Sequence, residues 1–325
     1  MTALSLPALD GRSPLGFLAA LGVLRLVTDR ERGREAQLSW SREDCTAVLS
    51  SAFDTVDELV EDLEAIVSGI PAQGVLPDLP VHLPPPGEAP DRMRLPRPEF
   101  RALAKRVWTD GKAEGERWMA SLVTDLSVDD KKRADISLMA APSGKQSMRT
   151  MLDKPLDLVR KRPQVLTEAL LGWRRNPGVS GEYLDHRVLF DAVDAVDGKS
   201  QERGVPGATW LALMSYPLLR TTASRGEPLT TTWQATGRRA GARRMVYPLW
   251  SQPLDVHAVS ALLHHPELSG VAPGPVGDRI ALLSVFLVCA AERRRIPGRT
   301  FAGVLVPTTS RVDRDRGRSR RRAGR

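Results

Sequence analysis

The apolar residues of this chain fall into segments with helical or strand-like periods. Residues 15–27 are apolar on nearly every side and predict a helix buried in the core. Because a glycine costs roughly 1 kcal/mol against alanine inside a helix, Gly16 and Gly22 indicate that another backbone packs closely there. Arg25 is the only basic residue of this helix, and a buried charge needs a partner, so we expect it to be paired inside the protein. Residues 205–214 predict a second helix that is likewise composed of small and apolar residues.

Other segments show clear boundaries. Residues 36–41 alternate as a strand does, and Thr55 with Glu58 predicts a capping box that opens an amphipathic helix to Val67. Residues 71–98 hold nine prolines, which exclude a long helix or a central strand and predict an irregular excursion or hinge. Further helices are predicted over 99–108, 114–126, 155–162, 163–173 and 256–264, a helix or strand over 280–289, and a last strand over 301–306.

The two tryptophans of the helices at 99–108 and 114–126, Trp108 and Trp118, are interpreted as core anchors rather than stacking platforms. Residues 229–236 and 242–250 predict a β-hairpin whose tip carries arginines. An exposed basic hairpin suits a nucleic-acid groove or backbone. Its candidate binding residues are Arg238, Arg239, Arg243 and Arg244.

A strand, tight turn and helix are predicted across residues 137–162, with Ser147 placed to cap the helix. Unpaired amides at a helix start carry the positive end of its dipole, so they favour an anion such as phosphate. The candidate seat consists of Ser143, Gly144, Lys145, Gln146, Ser147 and Arg149. Met139 and Gln146 stand where a nucleoside-triphosphate loop needs Gly and Ser or Thr, which excludes that motif. An ordinary capped helix beside a turn explains the pattern equally well.

The net charge is +8, and residues 309–325 contribute most of it with eight Arg against two Asp. Residues 145–175 hold eight Lys and Arg against three acids, whereas residues 43–64 hold eight acids and no Lys or Arg. Such separation fits a basic face for a polyanion, although each run alone also fits a solvated surface. Residues 309–325 are too charged and too poor in apolar residues to fold alone, so we expect a disordered arm.

Composition predicts a folded cytoplasmic protein without a membrane segment, since no long apolar window or signal peptide is seen. Cys45 and Cys289 support neither a disulfide framework nor a zinc site. We expect an α+β fold, predominantly helical, with short antiparallel strands and a β-hairpin. The expected parts are 1–70, an N-terminal α/β part; 71–98, the proline-rich excursion; 99–308, a main helical domain with a basic face; and 309–325, the Arg-rich tail.

Potential acid and base residues are densest in residues 181–187, where Asp185 and His186 adjoin the basic candidate Arg187. No second set of histidines or carboxylates completes a metal site, so we expect no metal and no cofactor. Arg174 and Arg175 follow a predicted helix end beside Trp173. Basic residues at that position suit the helix dipole and equally suit phosphate contacts.

Five motifs occur in a fixed order along the chain, and together they resemble the CRISPR-associated proteins of type I-G systems, formerly called I-U. They are Pro14-Leu-Gly-Phe-Leu-Ala-Ala-Leu-Gly-Val-Leu-Arg-Leu, Ser143-Gly-Lys-Gln-Ser, Glu182-Tyr-Leu-Asp-His-Arg, Gly207-Ala-Thr-Trp-Leu-Ala-Leu and Tyr247-Pro-Leu-Trp-Ser-Gln-Pro-Leu. The resemblance spans most of residues 6–308. It implies a non-catalytic large or accessory subunit of an RNA-guided complex, with crRNA, target DNA and other effector subunits as partners.

The residues themselves favour the same function, since a scaffold with basic surfaces and no coherent catalytic set suits a subunit that holds crRNA or target DNA. Two alternatives stay open. One is an enzyme acting on a phosphorylated substrate, with Lys145 and Arg149 on the phosphate and Asp185 with His186 as acid and base. The other is a helical protein-interaction module that binds no nucleic acid.

Overall fold

The computed structural model describes residues 1–86, 93–140, 147–178, 183–191, 203–236, 242–294 and 303–308. Several predicted features lie outside these ranges, namely the Arg-rich tail, the tip of the hairpin with Arg238 and Arg239, and four residues of the anion seat, Ser143, Gly144, Lys145 and Gln146. Part of the proline-rich excursion, residues 87–92, lies outside them as well.

Most of the described helices begin where the sequence offers proline or a capping side chain. Thr55 accepts a hydrogen bond from the Glu58 amide, and Asp255 accepts two from the amides of His257 and Ala258. The helices are α1 (Pro14–Thr28), α2 (Val56–Gly69), α3 (Arg97–Leu122), α4 (Met148–Lys161), α5 (Gln164–Leu171), α6 (Val188–Asp191), α7 (Pro206–Met214), α8 (Val256–Leu263) and α9 (Asp278–Ala281).

The strands pair antiparallel throughout the described residues. They are β1 (Thr2–Asp10), β2 (Gln37–Trp40), β3 (Thr46–Ser51), β4 (Val123–Val128), β5 (Ala134–Ile136), β6 (Asn176–Pro177), β7 (Arg203–Gly204), β8 (Thr221–Ser224), β9 (Glu227–Thr230), β10 (Trp233–Ala235), β11 (Arg243–Trp250), β12 (Gly274–Pro275), β13 (Val285–Arg294) and β14 (Val304–Pro307). One sheet has the order β1-β3-β2, and a larger one has β10-β11-β13-β12 with β14 also on β13. The remaining strands form the pairs β4–β5, β6–β7 and β8–β9.

The fold is therefore α+β, as the sequence predicts. The expectation of a predominantly helical chain is not supported, because 40% of the described residues are helical and 26% are in strands. The predicted hairpin is confirmed where β10 pairs with β11. Its first strand, predicted over residues 229–236, is shorter than expected, because residues 229 and 230 belong to β9, which pairs with β8. No helix in the part that the structure describes is long and apolar enough to cross a membrane.

Helix α1 is the centre of the core, with every residue from Pro14 to Leu24 buried. Its Phe17 lies between the two main sheets, with its ring centroid 4.4 Å from that of Tyr247 on β11 and 5.7 Å from that of Trp40 on β2. Trp250 on β11 donates a hydrogen bond to the Leu38 carbonyl on β2 at 2.7 Å. A single hydrophobic cluster consequently joins residues of the predicted 1–70 and 99–308 parts.

The buried charge on α1 is paired inside the protein, as predicted. Arg25 forms an ion pair with Glu114 of α3 and donates to the Met214 carbonyl at 3.0 Å, while its guanidinium lies over the Trp118 ring. Burial lowers the Arg25 pKa to about 10, so the group stays charged at neutral pH.

Several predicted boundaries are wrong. Residues 123–126, predicted as the end of a helix, form β4, because Val123 and Thr124 are β-branched and their backbone pairs with β5. The strand predicted at the start of the 137–162 segment lies earlier in the chain, since β5 ends at Ile136 and residues 137–140 are not in a strand. The helix that Ser147 caps begins at Met148, as predicted, but it continues through Pro155 to Lys161, so the separate helix predicted from residue 155 is wrong. Residues 280–289 divide between α9 and β13.

Candidate nucleic-acid interface

Three of the predicted binding residues, Arg174, Arg175 and Arg187, come together where the chain leaves α5. Arg174 and Arg175 follow Trp173 after the helix end and lead into β6, which pairs with β7. The segment from Tyr183 to Val188 packs beside them. We call this group the Asp185 cluster, and it consists of Arg162, Glu168, Arg174, Arg175, Asp185 and Arg187.

Asp185 is the buried centre of the cluster, with 1% of its surface exposed. Arg187 donates from Nε to one carboxylate oxygen at 2.9 Å and from Nη2 to the other at 3.1 Å. The Nε atom of Arg175 lies 3.4 Å from the same carboxylate, and Arg175 Nη2 donates to the Arg203 carbonyl at 2.6 Å. One carboxylate thus orients two guanidinium groups.

The aromatic ring of Trp173 provides a second support for Arg187. The centre of the guanidinium lies 4.7 Å from the ring centroid, and the indole N–H donates to the Ala169 carbonyl at 3.0 Å. A cation held over an aromatic face and against a carboxylate loses little further freedom when it binds an anion. Arg187 is therefore positioned before any ligand arrives.

Arg174 is the most open member, with 73% of its side chain exposed. Its Nη1 lies 3.6 Å from an oxygen of Glu168, and Arg162 Nη2 lies 4.0 Å from the same oxygen. Arg162 also donates to the Asn176 side chain at 2.8 Å. Among the described residues of the cluster, four arginines therefore lie beside two carboxylates, and Arg174 is the arginine most open to an anionic ligand.

Arg149 is used differently from the prediction, although Ser147 caps α4 as expected and forms a capping box with Thr150. The Arg149 guanidinium donates to the carbonyl oxygens of Val81 and Pro84, each at 2.9 Å, and to that of Gln73. About three turns further along α4, Arg160 donates to the carbonyls of residues 70 and 71 at 2.9 and 2.8 Å. Both arginines hold the proline-rich excursion against α4.

The hairpin arginines are partly engaged as well. Arg243 forms an ion pair with Glu227 at 2.5 Å and donates to the Pro228 carbonyl, so it ties β11 to β9. Arg244 lies opposite Glu292 of β13 in the strand register, and its buried Nε has no hydrogen-bond partner in the part of the chain described.

A small apolar contact links the segment around Asp185 to the strands that carry the hairpin arginines. Tyr183 and Val188, on either side of Asp185, form a cluster with Val304, against which Val306 also packs. Val306 pairs in register with Glu292, which in turn pairs with Arg244. Because residues opposite each other in neighbouring strands share a face of the sheet, Arg244 lies on the face that the Asp185 segment covers.

Trp108 is the clearest candidate that the sequence analysis missed. The prediction of a core anchor is correct for Trp118, which is 1% exposed, and wrong for Trp108, which is 53% exposed on α3. The core side of α3 is already filled by Phe100, Leu103 and Val107. A signal was present in the sequence, since Trp108 does not share the helical phase of those three residues.

His186 adjoins Asp185 but lies in a different environment. Burial is the main cause that lowers the pKa of its imidazole, and the nearby Arg187 and Arg175 lower it further while Asp185 opposes them. Since both oxygens of Asp185 accept hydrogen bonds from Arg187, the carboxylate serves as the counter-ion of the arginines. Within the described ranges, no group of three or more His, Cys, Asp or Glu is arranged to hold a metal ion.

Comparison with protein-family models finds no match, and comparison with curated proteins finds none either.

Proposed function

We propose that this chain is a non-catalytic subunit of a type I-G CRISPR effector complex that holds crRNA or target DNA by its phosphate backbone. The observation that carries the proposal is the Asp185 cluster, in which one buried carboxylate and the Trp173 ring hold Arg187 in position and the Arg174 side chain is open to solvent. The resemblance of the five ordered motifs adds the type of complex. In such a complex the chain works in the cytoplasm beside other effector subunits.

Arginine suits this task for a geometric reason. A guanidinium presents a planar fork of N–H donors that matches two oxygens of a phosphate, and its charge persists at all physiological pH values. Phosphate contacts fix the position of a nucleic acid without reading its bases. This fits an RNA-guided complex, where base pairing with the guide provides the sequence specificity.

The proposal assigns Asp185 and His186 to positioning rather than to proton transfer. We therefore expect the purified protein, incubated with Mg²⁺, Mn²⁺ or Zn²⁺, neither to cleave DNA or RNA nor to hydrolyse ATP. Activity that Asp185→Ala or His186→Ala abolishes would overturn the non-catalytic assignment.

Co-purification tests the proposal as a whole. The tagged chain is expressed with the other type I-G effector genes and a CRISPR array, and the eluate is assayed for RNA and for partner subunits. We expect crRNA and partner subunits to elute with the wild-type chain, and a variant with Arg174→Ala and Arg187→Ala to retain less crRNA. Arg279→Ala, which removes an exposed arginine elsewhere, serves as the matched control. An eluate without crRNA and partner subunits would contradict the proposal.

A further inference from the structure

The exposed side of α3 carries an aromatic ring at the end of a row of basic residues. Arg97, Arg101, Lys105 and Trp108 are all exposed, and we call them the α3 stripe. Each residue turns a helix by about 100°, so these four positions fall within about 80° of one another around the axis. The three cations follow one another at every fourth residue of the helix. The stripe is thus a straight row on one side of the helix.

The acidic residues of α3 that precede Lys112, where a φ of 49° interrupts the helix, point elsewhere. By the same rotation, Glu99 and Asp110 lie at least about 120° from every member of the stripe. Asp125 of β4 reaches the stripe, with its carboxylate 3.3 Å from Arg101 Nε and its backbone carbonyl 2.8 Å from Arg97 Nε. Exposed pairs of this kind are weak, so the row keeps most of its positive potential.

Apolar surface accompanies the charge. Leu126, which is 62% exposed, follows Asp125 on β4 beside Arg97 at the start of the row, and Trp108 lies at the other end. Large apolar side chains are usually buried, and an exposed aromatic residue next to aligned cations marks a binding surface more often than a lone exposed leucine does.

We infer that the α3 stripe binds single-stranded nucleic acid, with a base stacked on Trp108 and the backbone phosphates on Arg97, Arg101 and Lys105. Proteins that bind single strands combine aromatic platforms with a basic track. A duplex satisfies the cations but keeps its base faces stacked inside, so only a single strand uses both parts of the row. The inference rests on the proposed function and deepens it by naming a second contact surface and the strandedness of the partner.

The experiment compares affinities of the full chain for a labelled single-stranded RNA, a single-stranded DNA and a blunt duplex of the same length. Stacking typically contributes about 1–3 kcal/mol per base, so Trp108→Ala should weaken single-strand binding about 5- to 150-fold and duplex binding much less. Trp108→Phe keeps an aromatic face and should retain most of the affinity, whereas Trp108→Leu keeps only apolar surface and should behave like the Ala variant.

Charge is tested on the same helix with a matched pair. Lys105→Ala should weaken binding and lower its salt dependence, whereas Arg106→Ala, one residue away but about 100° round the helix, should do neither. Each variant is checked by circular dichroism, and these exposed positions on a packed helix leave the core intact.

Three outcomes would overturn the inference alone. They are unchanged single-strand affinity in Trp108→Ala, equal behaviour of the Phe and Leu variants, and equal losses on single strand and duplex. Each is recognisable because the wild-type chain still binds nucleic acid and the Asp185-cluster variant still loses affinity. A wild-type chain that binds none of the three probes would instead refute the proposed function itself.

Discussion

Gly22 of α1 lies directly against the backbone of Leu211 of α7. A β-carbon at Gly22 would overlap with the Leu211 carbonyl oxygen and carbon, which no rotamer change can relieve because both atoms belong to the main chain. The two helices therefore pack at a distance that only glycine allows, and this contact joins the two most buried helices of the protein.

We expect Gly22→Ala to destabilise the fold by about 1–3 kcal/mol or more, because the cost of overpacking outweighs the roughly 1 kcal/mol that alanine gains in helix propensity. Gly69→Ala is the control, since a β-carbon there meets nothing within 4 Å at the end of α2. Denaturant unfolding measures both. Equal stabilities of the two variants would contradict the close helix contact.

The proline-rich excursion depends on Arg149. Lysine keeps the charge at this position but lacks the fork that reaches three carbonyl groups, so Arg149→Lys should lower the free energy of unfolding by about 1–2 kcal/mol. Arg106→Lys, on an exposed part of α3, should leave it unchanged. If Arg149→Lys instead weakened RNA binding at unchanged stability, the phosphate role that the sequence suggested for Arg149 would be restored.

Acid should weaken the contact at Asp129. This carboxylate accepts hydrogen bonds at 2.7 Å from both Arg94 and Arg133. Burial by itself raises the Asp129 pKa, but the hydrogen bonds and charges of the two arginines outweigh it and lower the pKa to about 2. A folded-state pKa below the unfolded value of about 3.9 contributes stability above that pH, which is lost as the pH falls towards 2.

Thermal unfolding at several pH values tests this linkage. Between pH 5 and pH 2, the wild type should lose more stability than Asp129→Asn, which has no proton to bind at this position. Asp153→Asn, at an exposed position on α4, should follow the wild type. Parallel pH curves for wild type and Asp129→Asn would show that the arginine pair does not bind the carboxylate more tightly than water does.

The sequence predicts those features of the fold that depend on neighbouring residues within one segment. The capping residues Thr55 and Ser147, the buried α1 and the close approach at Gly22 follow from side-chain type and period within one segment, and the structure confirms them. The sequence does not indicate where α3 ends, because Val123 and Thr124 have partners in β5 that no window of the helix contains.

In the candidate site, too, the sequence does not predict contacts between residues that are far apart in the chain. The sequence singles out Trp173, Arg174 and Arg175 beside a helix end, but the pairing of Arg175 with Asp185 and the contact of Trp173 with Arg187 join segments separated in sequence. Arg149 was assigned to an anion because its own segment is basic. Its three carbonyl partners lie in residues 73–84, and no sequence pattern indicates that a charged group will be satisfied by the main chain of a distant proline-rich segment.

The central claim is that the Asp185 cluster contacts phosphates, and the salt dependence of binding tests it most directly. Affinities of wild type, Arg174→Ala and the Arg174→Ala, Arg187→Ala double variant for one labelled RNA are measured at several salt concentrations, after circular dichroism confirms the fold. The exposed Arg174 gives a variant that leaves the buried carboxylate untouched. We predict that the slope of log affinity against log salt falls by about one unit for each arginine removed, with the same loss on unrelated sequences. Wild-type slopes and affinities in both folded variants would contradict the claim.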